Sequence, residues 1–364
     1  MITVAIDLRM YGLSGIGRYL QSVIPEVLPQ INSDQIVVFG DIEALRREDW
    51  AHDTRVKLHD ERAAIFSARE QLNALSKKYM NADVLWSPQY NVPMLRRGKL
   101  VVTIHDLCQL AHPETLGSNL QRFYARMLIS RAVRQADAIL CVSEFTRDEL
   151  RKYLGADPSR ITVTYPGRGL ISPAGLSRPA KTGERPYILA VGNVKPHKNL
   201  SRLLAAFELA QQQVSHDLVL VGKRDGFLNP DNLEIDPRNI EDGRVRFTGK
   251  ISDEELMDYY RGADALVLPS IYEGFGFPLV EAMAQGCPVA CSNAASLPEV
   301  AGDAALLFDP FNIHQIAESM IAIVTNSSLR KHLIEKGLAR AARYSAKKCG
   351  QQTAEVINRV LENQ

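Results

Sequence analysis

Two glutamates, Glu273 and Glu281, stand with seven residues between them in the stretch Pro269-Ser270-Ile271-Tyr272-Glu273-Gly274-Phe275-Gly276-Phe277-Pro278-Leu279-Val280-Glu281. Pro278 suits the first position of a helix, because its missing N–H costs nothing there. Glu273 is therefore expected in a loop, and Glu281 about one turn into the helix, on a part that still faces a ligand. The carboxylates bracket loop amides that would meet a negative group at a helix start, while the carboxylates themselves accept hydrogen bonds from sugar hydroxyls. Helix capping alone would explain Pro278 and one glutamate, but not the whole segment.

Three further stretches combine strand ends with ionisable or glycine residues. The run Tyr187 to Val191 leads into Gly192-Asn193-Val194-Lys195-Pro196-His197-Lys198-Asn199, then a helical pattern from Leu200. Two lysines at a strand-to-helix turn suit a pyrophosphate as point charges beside a helix N-terminus; the alternative is a solvated loop. Val101-Val102-Thr103-Ile104 ends abruptly in His105-Asp106. His105 is there either a satisfied structural residue, a polar orienter or an acid/base group. Near the start, Tyr11-Gly12-Leu13-Ser14-Gly15-Ile16-Gly17-Arg18-Tyr19 reads as a loop in which Gly15 and Gly17 let backbone approach a ligand, or as a tight turn capped by Ser14. It lacks the GxGxxG spacing of dinucleotide binding. No two aspartates are separated by one residue, so a DxD metal motif is absent and no divalent-metal requirement is expected.

The elements that must position these groups alternate short apolar runs with helix-length amphipathic stretches, which predicts an α/β protein built of βαβ units. Strands are expected at Thr3–Ile6, Ile36–Phe39, Val56–Leu58, Val84–Trp86, Leu100–Ile104, Ala138–Val142 and Thr162–Thr164. A second series follows at Tyr187–Val191, Leu218–Val221, Val245–Thr248, Ala265–Leu268, Val289–Ala290 and Ala305–Phe308. The proline-rich stretch from Pro166 to Pro186 reads as a linker. Domains are expected over 1–170 and 171–345, with a helical pattern through Cys349, Thr353, Val356, Ile357 and Val360 in the closing stretch, 346–364. Ligands of open α/β sheets bind outside the carboxyl ends of the strands, so the expected site is a cleft there.

Length and composition agree. The 364 residues exceed one usual core, and 43 basic against 42 acidic residues give a net charge of +1. Near-neutrality argues against a nucleic-acid binder, which needs a basic excess. Asp7 interrupts the start where a secretory signal would be apolar, no run approaches a membrane span, and five cysteines without a CxxC pair read as reduced, buried thiols. The expected location is cytoplasmic. Arg122, Arg126 and Arg134 fall at multiples of four on a predicted helix over Asn119–Gln135, beside Leu120, Phe123 and Met127. That face is either solvated or laid on an anionic membrane, at the inner face of the plasma membrane.

The segment Ser270 to Gly286 resembles the signature of the retaining glycosyltransferases of family 4. The resemblance extends through Ser87 to Pro93, Thr103 to Leu107, Val142 to Thr146, Val221-Gly222-Lys223, Phe247 to Leu256 and Leu297 to Ala304. It implies the GT-B fold, two Rossmann-like doubly wound domains facing across a cleft, with a terminal helix crossing back to the N-terminal domain. It also implies a nucleotide-sugar donor and a glycan or lipid-linked glycan acceptor. In the positions that match, His105 would lie beside the transferred sugar and Glu273 would hydrogen-bond it. Lys198 would bind the diphosphate, helped by Lys195 or Lys223 and with Asn193 nearby, and Gly15 and Gly17 would approach the donor's phosphates or the acceptor. Phe275, Gly276 and Phe277 would offer backbone to hydroxyls and phosphate, Glu281 would hold the ribose, and Lys250 and Ile251 would flank the base. Arg18, Tyr90 and Asp106 would serve the acceptor. Relatives often carry an arginine in the turn before the lysine; here Asn193 and His197 stand there. The pattern most resembles bacterial mannosyltransferases of O-antigen or exopolysaccharide synthesis, which implies a GDP-sugar donor, with a UDP-sugar as the alternative and no cofactor. An epimerase or hydrolase on the same architecture, or a non-catalytic nucleotide-sugar sensor, are the rival readings.

Overall fold

Runs such as Thr3-Val4-Ala5-Ile6 and Ala265-Leu266-Val267-Leu268 lack polar alternation, the pattern of strands covered on both faces. In the computed structural model, which describes residues 1–61, 82–93, 97–169, 185–222 and 243–363, every expected strand forms. The chain divides into unit 1, Met1–Gly167 with Ser345–Gln364, and unit 2, Arg168–Tyr344. The linker expected over 166–186 lies largely outside the described residues.

Unit 1 is a seven-stranded parallel sheet. Its strands are β1 (Thr3–Asp7), β2 (Gln35–Gly40), β3 (Val56–Asp60), β4 (Val84–Ser87), β5 (Lys99–Ile104), β6 (Ala138–Cys141) and β7 (Ile161–Val163), in the order β3-β2-β1-β4-β5-β6-β7. Ile6 pairs with Val38 on one side and Trp86 on the other, so the winding reverses between β1 and β4. At that switch point the loops after β1 and β4 part and leave a crevice beyond their carboxyl ends. Helix α1 (Ser14–Val27) buries Tyr19, Leu20, Val23, Ile24 and Val27, a stripe at helical spacing. It begins earlier than its sequence suggests. Gly15 and Gly17 lie within its first turn rather than in a loop, and Leu13, not Ser14, is the N-cap residue.

Helix α2 (Asn119–Gln135) opens on a capping box between Ser118 and Gln121, and α3 (Glu144–Leu154) is capped by the Ser143 side chain. In unit 2, β8 (Tyr187–Val191), β9 (Asp217–Val221), β10 (Val245–Gly249), β11 (Ala265–Leu268), β12 (Val289–Ser292) and β13 (Ala305–Phe308) form a parallel sheet ordered β10-β9-β8-β11-β12-β13. Its switch point lies between β8 and β11. Helices α4 (Leu200–Ala210), α5 (Asp253–Gly262), α6 (Phe277–Ala284) and α7 (Leu297–Ala301) join the strands, and α8 (Ile313–Thr325) and α9 (Ser327–Ala341) follow β13. One core packs Leu203 and Phe207 of α4 and Ile316 and Met320 of α8 against Ile188, Leu218 and Val267 of the sheet.

The closing helix, α10 (Ala346–Glu362), belongs to unit 1, where it packs along α1. Gly350 makes this approach feasible: a Cβ there would lie 2.4 Å from Glu26 Cβ. Of the five cysteines, none is in a disulfide; Cys108 is half-exposed, which corrects its reading as a buried thiol, and the other four are buried.

Candidate active site

The unit 2 constellation grows from the two loops at its switch point. After β8 the chain turns through Gly192 and a short 3-10 turn, Pro196–Lys198, to Asn199, whose φ of 58° redirects the chain into α4. The Asn199 amide donates to the carbonyls of Pro269 and Pro310, and the Ile271 amide donates to the His197 carbonyl at 2.8 Å. These bonds tie the β8 turn to the loop after β11, and so bring together two residues far apart in sequence. Lys198 Nζ lies 2.5 Å from Glu273 Oε1. The Ser270 hydroxyl donates to the same oxygen at 2.7 Å, and Ser296 Oγ donates to the Glu273 carbonyl at 2.9 Å. Both of these side-chain hydrogen bonds fall on one carboxylate oxygen, Oε1. Burial alone would raise the Glu273 carboxyl, but the Lys198 ammonium and these hydrogen bonds outweigh it and hold the carboxyl below its ordinary range.

Beyond Glu273 the backbone passes through Gly276, whose φ of 93° turns the chain into α6. That helix starts without a side-chain cap; Pro278 has no N–H and the Leu279 N–H is taken by the Gly276 carbonyl, so the Phe277 N–H is the first-turn donor left for an anion or hydroxyl. Pro278 occupies the second helical position rather than the first. The Phe275 side chain serves packing, with its ring 5.3 Å from those of both Phe277 and Tyr344.

Glu281, in the second turn of α6, is wholly buried and accepts a 2.9 Å hydrogen bond from Tyr260. Its Oε1 lies 2.6 Å from where a Cβ on Gly169 would stand. Glu273 and Glu281 thus occupy different surroundings in one unit. Gly249 has φ 74° at the end of β10, followed by exposed Lys250 and half-buried Ile251; Asn193 is exposed. Lys223 lies outside the described residues.

Unit 1 carries the second constellation. His105, at the end of β5, places Nε2 3.0 Å from the Pro88 carbonyl of the loop after β4. Burial pushes its pKa down to about 4, against a smaller upward effect of that hydrogen bond, so the imidazole is neutral at pH 7. A neutral ring fits a polar orienter better than a general acid. Tyr90 Oη accepts from Gln109 at 2.9 Å, and burial with the Asp106 charge raises the phenol. Asp106 caps its own turn by accepting from the Cys108 amide. Arg18 is half-buried on α1, Gly15 is exposed, and Gly17 is buried against its own loop, where a Cβ would come 2.8 Å from the Gly12 nitrogen.

Sequence reasoning missed Asp7 and Arg9. They form a buried bidentate pair at the end of β1, 2.5 Å apart and beside Gln89. The signal was available: Asp7 ends an apolar strand as His105 does. Ser296 and Tyr260 were also missed, and both orient the glutamates from elsewhere in the chain.

Comparison with known proteins decides what such a pair of units is. The family model described as Glycosyltransferase Family 4 matches residues 15–168, and that described as Glycosyl transferases group 1 matches residues 177–340. The chain belongs to the family 4 glycosyltransferases. Among similar proteins, the O-antigen chain mannosyltransferase B of Escherichia coli is 28% identical over 94% of this chain and 95% of its own. The O-antigen chain mannosyltransferase RfbU of Salmonella typhimurium is 30% identical over 64% of this chain and 62% of its own. Sucrose-phosphate synthase from Thermosynechococcus elongatus superposes with a TM-score of 0.75 over the full length of both chains at 19% identity. The fold of this glycosyltransferase is GT-B, with two Rossmann-like parallel sheets.

Proposed function

We propose that this glycosyltransferase transfers a hexose, mannose or a related sugar from a GDP-sugar, to a glycan or lipid-linked glycan acceptor in bacterial surface polysaccharide synthesis, with retention of configuration and without a metal. The observation that carries the proposal is the Lys198–Glu273–Ser270 cluster beside the uncapped start of α6, at the switch point of unit 2. Its chemistry fits a nucleotide sugar: an ammonium and a helix-start amide for the diphosphate, and an ionised carboxylate for a sugar hydroxyl. The mannose assignment is supported by the similarity to O-antigen mannosyltransferases.

In retaining transfer the new bond forms on the face from which the nucleoside diphosphate departs. Glu273 is already engaged by Lys198 and Ser270, which suits a binding role over attack on the anomeric carbon. The favoured route is therefore front-face substitution, in which the leaving phosphate oxygen takes the proton of the incoming hydroxyl. Catalysis then rests on positioning and on stabilising the departing diphosphate through Lys198 and the amide at the start of α6. His105 acts as a neutral hydrogen-bonding group toward a sugar hydroxyl. Leu120 and Phe123, exposed at 76% and 68% at the start of α2 beside exposed Arg126, support a peripheral contact with an anionic membrane that carries the acceptor.

The test is incubation with GDP-mannose, GDP-rhamnose, UDP-glucose or UDP-N-acetylglucosamine. Nucleoside diphosphate released from a GDP-sugar only when acceptor is present is the expected result. Release without acceptor favours a hydrolase or epimerase, and binding without release a sensor.

A further inference from the structure

His105 is held on two sides by residues that carry no role in the reading above. A carbonyl only accepts hydrogen bonds, so the 3.0 Å contact with Pro88 requires the imidazole proton on Nε2 and leaves the lone pair on Nδ1. Against the ring stands Tyr19 of α1, wholly buried, its ring centroid 4.9 Å from that of His105 and its plane turned 81°. Such an edge-to-face contact fixes ring orientation as well as burying area. The Tyr19 hydroxyl is buried beside Thr103 of β5 and Thr353 and Cys349 of α10. Tyr19 is therefore located by packing among α1, β5 and α10, all rigid elements of one unit, and its ring is the part that reaches the site.

We propose that Tyr19 is a positioning residue which, with the Pro88 carbonyl, holds His105 in one orientation so that Nδ1 accepts the hydrogen bond of a sugar hydroxyl. The inference rests on the reading of His105 as a sugar-binding residue. Rotation of the imidazole by half a turn would take the Nε2 proton away from the Pro88 carbonyl and put the Cε1–H in its place, while the edge-to-face contact with Tyr19 fixes the plane in which the ring lies. A ring free to rotate would present either a donor or an acceptor, and a hydroxyl would find the right partner only part of the time.

The tautomer is measurable by nitrogen-15 NMR on enzyme labelled at its 8 histidines, with the His105 signal assigned through His105→Asn. The expected result is a single Nε2–H tautomer in the unaltered enzyme. A dominant Nδ1–H form there overturns the proposal whatever any variant does. Tyr19→Leu is expected to mix the two tautomers, move the His105 pKa from about 4 toward 6.5, and lower kcat by about tenfold with the donor KM little changed. Tyr19→Phe, which keeps the ring and drops only the hydroxyl, is expected to restore tautomer and turnover together. Equal damage by Leu and Phe refutes the ring as the positioning part. If His105→Asn turns over normally while Tyr19→Leu still mixes the tautomers, it is the sugar-binding reading of His105 that fails.

Discussion

Replacing Lys198 by alanine strands a carboxylate. Lys198 and Glu273 have side chains 18% and 12% exposed, so among the described residues the surviving Glu273 carboxylate keeps Ser270 as its hydrogen-bond partner in a site nearly closed to water. Breaking a buried pair by removing one member costs about 3–5 kcal/mol when the remaining charge has no escape. Glu273 has one, because it can take a proton. From an ordinary pKa of 4.5, neutralising it at pH 7 costs about 3 kcal/mol, which is a ceiling on the charge penalty. Ser270 and the residual exposure reduce the penalty further, to about 2–3 kcal/mol, a fall of roughly 5–10 °C in melting temperature for a unit of this size. The ceiling drops by about 1.4 kcal/mol per pH unit, so at pH 5 the variant should lie within about 1 kcal/mol of the parent. The sign is opposite in the parent. There the lowered carboxyl adds stability that is present above pH 4.5 and lost as pH falls through the folded value. Denaturant unfolding of the parent, Lys198→Ala and Lys198→Ala/Glu273→Gln at pH 5 to 8 checks the reasoning, with the double variant expected to recover most of the loss. A penalty equal at pH 5 and pH 8, or no recovery in the double variant, would refute it. Turnover by Lys198→Ala should fall about 100-fold or more, since the leaving diphosphate loses its point charge.

Four other outcomes are expected. The unfolded state takes up the His105 proton near pH 6.5 and the folded state near 4, so this residue makes stability fall by about 2–3 kcal/mol as pH drops across that window; pH-dependent denaturation of His105→Asn should lack that slope. Gly17→Ala drives a methyl into the backbone of Gly12 and Met10 and should cost about 1–3 kcal/mol, visible as a lowered melting temperature. Activity should survive EDTA unchanged; loss restored by magnesium would end the metal-independent mechanism. Vesicles of anionic lipid should retain the protein at low salt and release a Leu120→Ser/Phe123→Ser variant, and failure to retain the parent would remove the membrane contact.

The strands were legible because parallel strands are covered on both faces, which leaves uninterrupted apolar runs such as Ala138-Ile139-Leu140-Cys141. Helix starts were harder. Gly15 and Gly17 carry low helix propensity and were read as loop, yet the stripe Tyr19, Leu20, Val23, Ile24 supplies the burial that pulls the helix back to Ser14. Lys198 and Glu273 were identifiable one by one. Their 2.5 Å pairing was not, because it depends on Asn199 and His197 tying two loops together across the switch point of the sheet. The burial of Glu281 was hidden for the same reason: its cover is Tyr260 on α5, twenty-one positions away.

Helix α10 has a consequence for synthesis. Unit 1 is completed by residues that leave the ribosome only after residues 168–344, the whole of unit 2. At about 5–20 residues per second that interval lasts roughly 10–35 s, long against the folding time of most single domains. During it the face of α1 that α10 will cover, with Tyr19 near its centre, has no permanent partner. Unit 2, contiguous in the chain, is free to fold first, and the nascent chain carries an incomplete apolar seam that a chaperone would recognise. A nonsense codon before Ala346 would thus spare the Lys198–Glu273 cluster and still deprive His105 of its support.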